Sequence, residues 1–380
     1  METRRPLEDL VRRNVRRLEP YSSARDEFSG RALVWLDANE NPYREELQLV
    51  LRDTARGREV TLFDAGELNR YPDPYHHELR AKIARERGIS PERLFLGNGS
   101  DEVLDLLFRT FCEPGEDEVI IQPPTYGMYG VLAGIHGVAV REVPLDPGFQ
   151  PDVEKLLAHI TPSTKMIFFC SPNNPTGNTM EKQRIVRVLE AFDGIVIVDE
   201  AYIDFAPEKS LLPLMEEYDR LVVLQTFSKA LGLAGIRLGM AYGDAALFRW
   251  LNRVKLPYNL NRLTLSLAAW RYGRPTQQAT VQRILRERQR LTTALQNLKG
   301  VKRVWPSEAN FILVCFDRPE EVYRYLLDRG IVVRQRPRIP GCGTALRITV
   351  GTDEENDLLL RALKDWEDKL PEHDERKKKT

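Results

Sequence analysis

The sequence predicts an α/β fold, with a large domain on a mostly parallel, doubly wound sheet and a smaller α+β domain beside it. Three observations predict it. Short apolar runs alternate with helical stretches between residues 94 and 254. Several of those runs are apolar throughout, as expected of parallel strands covered on both faces. A long amphipathic stretch then leads into a second, shorter set of strands and helices.

In chain order, residues 1–19 form an arm in which Leu7, Leu10, Val11, Val15 and Leu18 recur at helical spacing. It packs either on its own subunit or across a partner. Its arginines are interrupted by Glu2, Glu8 and Asp9, and no apolar run follows, which argues against a secretory signal. Residues 45–262 are assigned to the large domain, with strands expected at 94–96, 119–121, 165–169, 195–198, 221–224 and 238–242 and helices at 101–112, 181–192 and 245–254. Residues 20–44 together with 263–370 are assigned to the small domain. There Val281, Ile284, Leu285, Leu291, Leu295 and Leu298 mark one long helix over 276–298, ended by Gly300. A strand near 310–314, a helix over 319–329 and strands near 331–334 and 346–350 follow. Residues 371–380 are a charged tail.

Composition narrows the function classes. The 380 residues carry 56 Lys+Arg against 56 Asp+Glu, with 42% hydrophobic and 29% charged residues, which excludes wholesale disorder. Zero net charge argues against nucleic acid, which needs a surplus of cations. The least polar stretch, 130–140, is far short of the roughly 20 residues that span a bilayer, so no membrane partner is expected. Cys112, Cys170, Cys315 and Cys342 lie far apart without a CxxC and predict reduced core thiols in a cytoplasmic protein. His76, His77, His136, His159 and His373 form no ligand pattern, and no metal is expected.

Ligands of such sheets bind beyond the carboxyl ends of the strands. Four runs there end in polar groups: Gly97-Asn98-Gly99-Ser100-Asp101, Ser171 to Gly177, Asp199-Glu200-Ala201-Tyr202, and Thr226-Phe227-Ser228-Lys229. Asp199 follows four apolar residues, where a carboxylate is costly without a partner. Lys229 comes 30 residues later, one βα unit plus a strand, which puts the two at neighbouring strand ends. They make either a buried ion pair or the two ends of a pyridoxal-phosphate site, Asp199 at the pyridinium nitrogen and Lys229 at the aldehyde. No third glycine completes a dinucleotide fingerprint, and no GxxxxGK[ST] occurs.

Asn174-Pro175-Thr176-Gly177, then Asp199-x-x-Tyr202, then Ser228-Lys229 and Arg237, resemble in order and spacing the fold type I pyridoxal-phosphate-dependent transferases. The resemblance implies pyridoxal 5′-phosphate as cofactor and Lys229, Asp199 and Tyr202 as catalytic residues. It also implies that Lys229 bonds the aldehyde and shuttles the substrate's α-proton. Asp199 would keep the ring nitrogen protonated, Tyr202 and Asn174 would meet the phenolic oxygen, and Tyr126 would stack on the ring. The amides of Gly99, Ser100 and Asp101 at a helix start, the Ser228 hydroxyl and the Arg237 fork suit the cofactor phosphate. Tyr71, in Arg70-Tyr71-Pro72-Asp73-Pro74, would reach the phosphate of the other subunit, which implies a homodimer with shared active sites.

Leu36-Asp37-Ala38-Asn39-Glu40-Asn41-Pro42, Thr226-Phe227-Ser228-Lys229-Ala230 and Leu346-Arg347-Ile348-Thr349-Val350-Gly351 are similar to segments of the histidinol-phosphate aminotransferases. That resemblance implies two small-molecule partners, a phosphorylated amino alcohol and glutamate or 2-oxoglutarate. Tyr21 would meet the substrate phosphate, and Arg347 the substrate anion. Arg334, 13 residues before Arg347, would face the same cleft, with Arg336 and Arg338 close by as alternatives. The basic, proline-rich stretch 336–343 is read as a loop, and Arg262-Leu263-Thr264-Leu265 departs from the small polar residue and glutamine expected there. An aromatic amino-acid aminotransferase, a threonine-phosphate decarboxylase and a binding protein on the same fold stay open as alternatives.

Overall fold

The computed structural model describes residues 5–19, 48–53, 58–64, 68–274 and 276–369. Tyr21, the segment 36–42 and the tail 371–380 lie outside them. Among the described residues no helix is long and apolar enough to cross a membrane.

The hairpin β1 (Gln48–Asp53) and β2 (Arg58–Asp64) precedes the main sheet and is paired antiparallel. Seven strands then build that sheet: β3 (Leu94–Asn98), β4 (Glu118–Ile121), β5 (Ala139–Glu142), β6 (Thr164–Cys170), β7 (Ile195–Asp199), β8 (Leu221–Thr226) and β9 (Leu238–Tyr242). Their spatial order is β3-β9-β8-β7-β6-β4-β5. From β8 to β5 every pairing is parallel, whereas β9 runs antiparallel to both its neighbours. β7 and β8 are buried at every position, because helices cover both faces. One face carries Ile167, Phe169, Val196, Val198 and Val223; the other carries Met166, Phe168, Ile195, Ile197 and Leu224.

The arm forms two short helices, Leu7–Leu10 and Arg13–Arg16, in place of one continuous helix. Val11 is extended between them, and the Arg12 amide donates to the Thr110 carbonyl at 2.9 Å. Leu10, Val11 and Val15 are buried in the same apolar core cluster as Leu107 and Phe111.

The long helix runs Thr276–Gln296 and stops four residues short of Gly300; Asn297 and Leu298 already bond back three residues instead of four. A four-stranded antiparallel sheet follows, β10 (Val301–Val304), β11 (Phe311–Phe316), β12 (Arg334–Ile339) and β13 (Gly343–Thr349), in the order β10-β11-β13-β12. Three expectations are corrected here. The strand expected at 331–334 starts only at Arg334, because the Ile331 amide closes the preceding helix on the Leu326 carbonyl. The basic stretch read as a loop is thus mostly strand. The expectation of four reduced thiols fails for two of them: Cys315 and Cys342 are joined by a disulfide with Cα atoms 6.0 Å apart, since the β12–β13 hairpin brings its turn beside the end of β11. Cys112 and Cys170 are free and buried.

Candidate active site

The carboxyl ends of β6, β7 and β8 open onto a cavity of about 250 Å³. β7 delivers Asp199 and, just beyond, Tyr202; β6 leads to Asn174; β8 leads to Ser228 and Lys229; all five line the cavity. Ser100 and Asp101 line it from the start of the helix Gly99–Phe111, Tyr126 from the segment before Met128–Ile135, and Arg237 from the start of β9.

Asp199 is 3% exposed. Burial pushes its carboxyl up to about 6, against the pull of two donors. The Tyr129 hydroxyl donates to Oδ2 at 2.8 Å and the Ala201 amide to Oδ1 at 3.1 Å. Lys229 is pulled below the ordinary lysine value, by burial first and then by the positive charge of Arg347, with Asp199 opposing. Its Nζ stands 5.3 Å from the centre of the Tyr202 ring. That ring is buried edge-on to Phe311 of β11, with centroids 5.1 Å apart, and burial raises its hydroxyl's pKa. The Tyr126 hydroxyl donates to Asp101 Oδ1 at 3.2 Å.

The other end of the cavity is a cradle of donors. The Arg237 carbonyl accepts the Gly99 amide at 2.9 Å, and its guanidinium donates to Ser228 Oγ at 3.4 Å. Its nearest carboxylate, Asp101, is 3.9 Å away. Gly99 has φ +72°, and a Cβ there would lie 2.7 Å from Arg237 Nη2. On β9, a Cβ at Gly239 would overlap the Ser100 amide. Glycine at both positions lets the helix start, β9 and Arg237 close on one point. Backbone amides, a hydroxyl and a guanidinium at one end, with a buried carboxylate and a lysine at the other, fit a phosphorylated pyridine aldehyde.

The small sheet reaches the same rim. Arg347 on β13 donates to Asn174 Oδ1 at 2.7 Å and lies 5.3 Å from the Phe311 ring centre. Arg334 faces Arg347 across the β12–β13 ladder. Tyr71 does not line the cavity of its own chain; it is 48% exposed and stacks on Tyr258 with centroids 4.5 Å apart. Tyr21 lies outside the described residues.

Sequence reasoning missed Tyr129 and gave no role to Glu200, which it named only among the polar residues that follow β7. Tyr129 follows Tyr126 by three residues, and that tyrosine pair was the available signal. Glu200 is buried behind Asp199, pushed up to about 7 by burial while the Leu211 amide, Gln225 and Ser210 donate to it. The direct succession of two acids after an apolar run was its signal.

The chain belongs to the aminotransferase class I and II family, whose model matches residues 31–363. Its fold is that of the fold type I pyridoxal-phosphate-dependent transferases. Among its relatives is a histidinol-phosphate aminotransferase from Flavobacterium psychrophilum, 42% identical over 94% of this chain and 98% of the relative. Another, from Christiangramia forsetii, is 46% identical over 95% and 98%. The crystal structure of histidinol-phosphate aminotransferase from Sinorhizobium meliloti in complex with pyridoxal-5′-phosphate superposes with a TM-score of 0.73, at 27% identity, over 81% of this chain and 85% of that one.

Proposed function

We propose that this protein transfers the amino group of L-histidinol phosphate to 2-oxoglutarate, giving imidazole acetol phosphate and L-glutamate in histidine biosynthesis, with pyridoxal 5′-phosphate as cofactor. The observation that carries the proposal is the convergence of Asp199, Lys229 and the Arg237 cradle on one cavity, in a chain 42–46% identical along nearly its whole length to histidinol-phosphate aminotransferases.

Pyridoxal 5′-phosphate, when bound, supplies an electron-accepting ring on which an amino group passes from one substrate to the next. Lys229 is the residue to bond the cofactor's aldehyde carbon, and its Nζ is the base that moves the substrate's α-proton. Burial and neighbouring arginines favour the free amine that this transfer needs. Asp199 holds a proton on the ring nitrogen, and Tyr202 and Asn174 are the candidate partners of the ring oxygen. Tyr126 covers the ring face. Ser100 and Asp101 at their helix start, with Ser228 and Arg237, hold the phosphate, while Gly99, expected to donate its amide as well, gives that amide to the Arg237 carbonyl and instead leaves room for the Arg237 side chain. Arg347 holds the substrate anion, with Arg334 on the facing strand and Tyr21 as a further contact. Tyr71, exposed on its own subunit, supports a homodimer in which it completes the partner's site, and a cytoplasmic location belongs to the same proposal.

A donor panel tests it: histidinol phosphate, phenylalanine, tyrosine and threonine phosphate, each with 2-oxoglutarate, scored by glutamate formed. Histidinol phosphate is expected to give the highest kcat/KM. Preference for the aromatic donors, or release of carbon dioxide from threonine phosphate, would overturn the proposal. Lys229→Ala is expected to retain no cofactor on the protein after borohydride reduction.

A further inference from the structure

Glu200 follows the last residue of β7, and Gln225 is the last but one of β8. Past Glu200 the chain turns through two short 3₁₀ helices, Ile203–Phe205 and Pro207–Lys209, before Ser210 and Leu211. Along that stretch the amides of Ile203, Phe205, Ala206, Lys209 and Ser210 each bond only three residues back. Such bonds shape the turns but do not fix them to the sheet. The Glu200 carboxylate supplies a tie. The Leu211 amide donates to Oε1 at 2.5 Å, and the Ser210 hydroxyl and the Gln225 side chain donate to Oε2 at 2.8 and 3.0 Å.

The direction of these bonds calls for a carboxylate. Arg87, at the end of the helix His77–Arg87, can only donate. Its Nη2 donates to Gln225 Oε1 at 3.1 Å and its Nε to the Tyr272 hydroxyl at 2.9 Å. Gln225 must therefore turn its oxygen to Arg87 and its NH2 group to Glu200. Glu200 then meets three donors, all of which a carboxylate accepts and an amide does not. Glu200 and Gln225 are 1% and 3% exposed, so a donor left unmet there is costly.

The residue so tied down is Tyr202, two positions on, which lines the cavity together with Lys229. Its ring centre is 5.3 Å from Lys229 Nζ, and Lys229 comes four residues after Gln225. One carboxylate thus joins the strand end that carries Tyr202 to the strand end that carries Lys229. We propose that Glu200 is a positioning residue for amino-group transfer, its carboxylate holding Tyr202 beside Lys229 where the tyrosine hydroxyl meets the cofactor's ring oxygen. A displacement of about 1 Å is enough to lose a contact of that kind. The proposal rests on pyridoxal 5′-phosphate as the cofactor of this cavity.

The first readout is the pH midpoint of the bound cofactor's absorbance change in the full-length, cofactor-loaded protein. A hydroxyl donating to the ring oxygen favours the deprotonated form, so Tyr202→Phe is expected to raise the midpoint by roughly one to two pH units. Glu200→Gln is expected to raise it by roughly half a unit or more, and to add nothing to Tyr202→Phe in the double variant. In Glu200→Gln/Gln225→Glu the middle bond runs the other way and Arg87 meets a carboxylate directly, so the midpoint is expected to return. An unmoved midpoint in Glu200→Gln or Tyr202→Phe, a shift that adds in full to that of Tyr202→Phe, or no recovery in the exchanged pair would each overturn the positioning role. The second readout needs no cofactor: hydrogen exchange of the main-chain amides of 203–211 in the apoprotein. It is expected to be roughly tenfold faster in Glu200→Gln and slow again in the exchanged pair; unchanged exchange would overturn the tie. A wild-type protein that takes up no pyridoxal 5′-phosphate refutes the proposed function, while the exchange rates still decide whether Glu200 makes the tie.

Discussion

Tyr129→Phe removes one oxygen from the wall behind the cavity and leaves the ring in place. The ring's contacts survive, stacked on Phe168 with centroids 4.9 Å apart and edge-on to Tyr126 at 5.5 Å. What is lost is the donor to Asp199 Oδ2 at 2.8 Å, leaving the Ala201 amide on the other oxygen. A hydrogen bond to a charged group contributes about 1.5–3 kcal/mol, and about 1.4 kcal/mol is one pH unit. The Asp199 carboxyl, already pushed up to about 6 by burial, therefore moves up by roughly another one to two units. At pH 7 it changes from mostly ionised to half or more protonated. Since the ionised form is the one that holds a protonated ring nitrogen, cofactor affinity at pH 7 falls roughly two- to tenfold and recovers near pH 9. The assay is the dissociation constant of pyridoxal 5′-phosphate for the wild-type and variant apoproteins across that range. A defect of the same size at every pH would show that the hydroxyl acts on packing and not on the carboxylate. No defect at all would refute the coupling outright.

Two further predictions follow from burial and close approach. Gly99→Ala forces a Cβ onto Arg237 Nη2 at a φ of +72°, so it is expected to lower stability by about 1 kcal/mol and to weaken cofactor binding, measured by urea unfolding and cofactor titration; unchanged affinity would detach Gly99 from the phosphate cradle. Asp199 and Glu200 are raised to about 6 and about 7 in the folded chain from roughly 4 when unfolded, so the folded apoprotein holds more protons and its stability falls as pH rises from about 4 to 7. Asp199→Asn is expected to flatten that decline by up to about 3 kcal/mol, read as the Tm of the apoprotein against pH; parallel curves would contradict it.

The parts legible in the sequence were those whose residues carry their own constraint. β7 and β8 read as strands because Ile195 to Val198 and Leu221 to Leu224 are apolar without a break, which burial on both faces demands. The 30-residue step from Asp199 to Lys229 correctly put both on one cavity. The strands that went unread lie at edges. β5 carries Arg141 and Glu142, and β10 carries Lys302 and Arg303; pairing to a neighbour makes them strands, and no apolar run announces it. β12 was hidden by Pro337 and by a register shift after Arg336, with Arg338 at φ +59°. Tyr129 went unread for another reason: its partner is 70 residues away, and only the folded sheet brings them together. The Cys315–Cys342 bond shares that origin, since 27 residues of separation imply nothing until the hairpin folds back.

The reversed direction of β9 sets the size of the site. Because it runs against β8, its first end lies at the rim where the parallel strands finish, so Arg237 and Lys229 share an edge although one precedes its strand and the other follows one. Only seven residues separate them, and the ladder from Val223–Tyr242 to Thr226–Gly239 closes that short loop. In the proposed function, where Lys229 and Arg237 take the two ends of the cofactor, these attachment points are held like the jaws of a caliper, their gap fixed by main-chain hydrogen bonds next to them. Closing so short a loop costs little entropy, so the gauge that measures the cofactor is set locally, independently of how the small sheet sits.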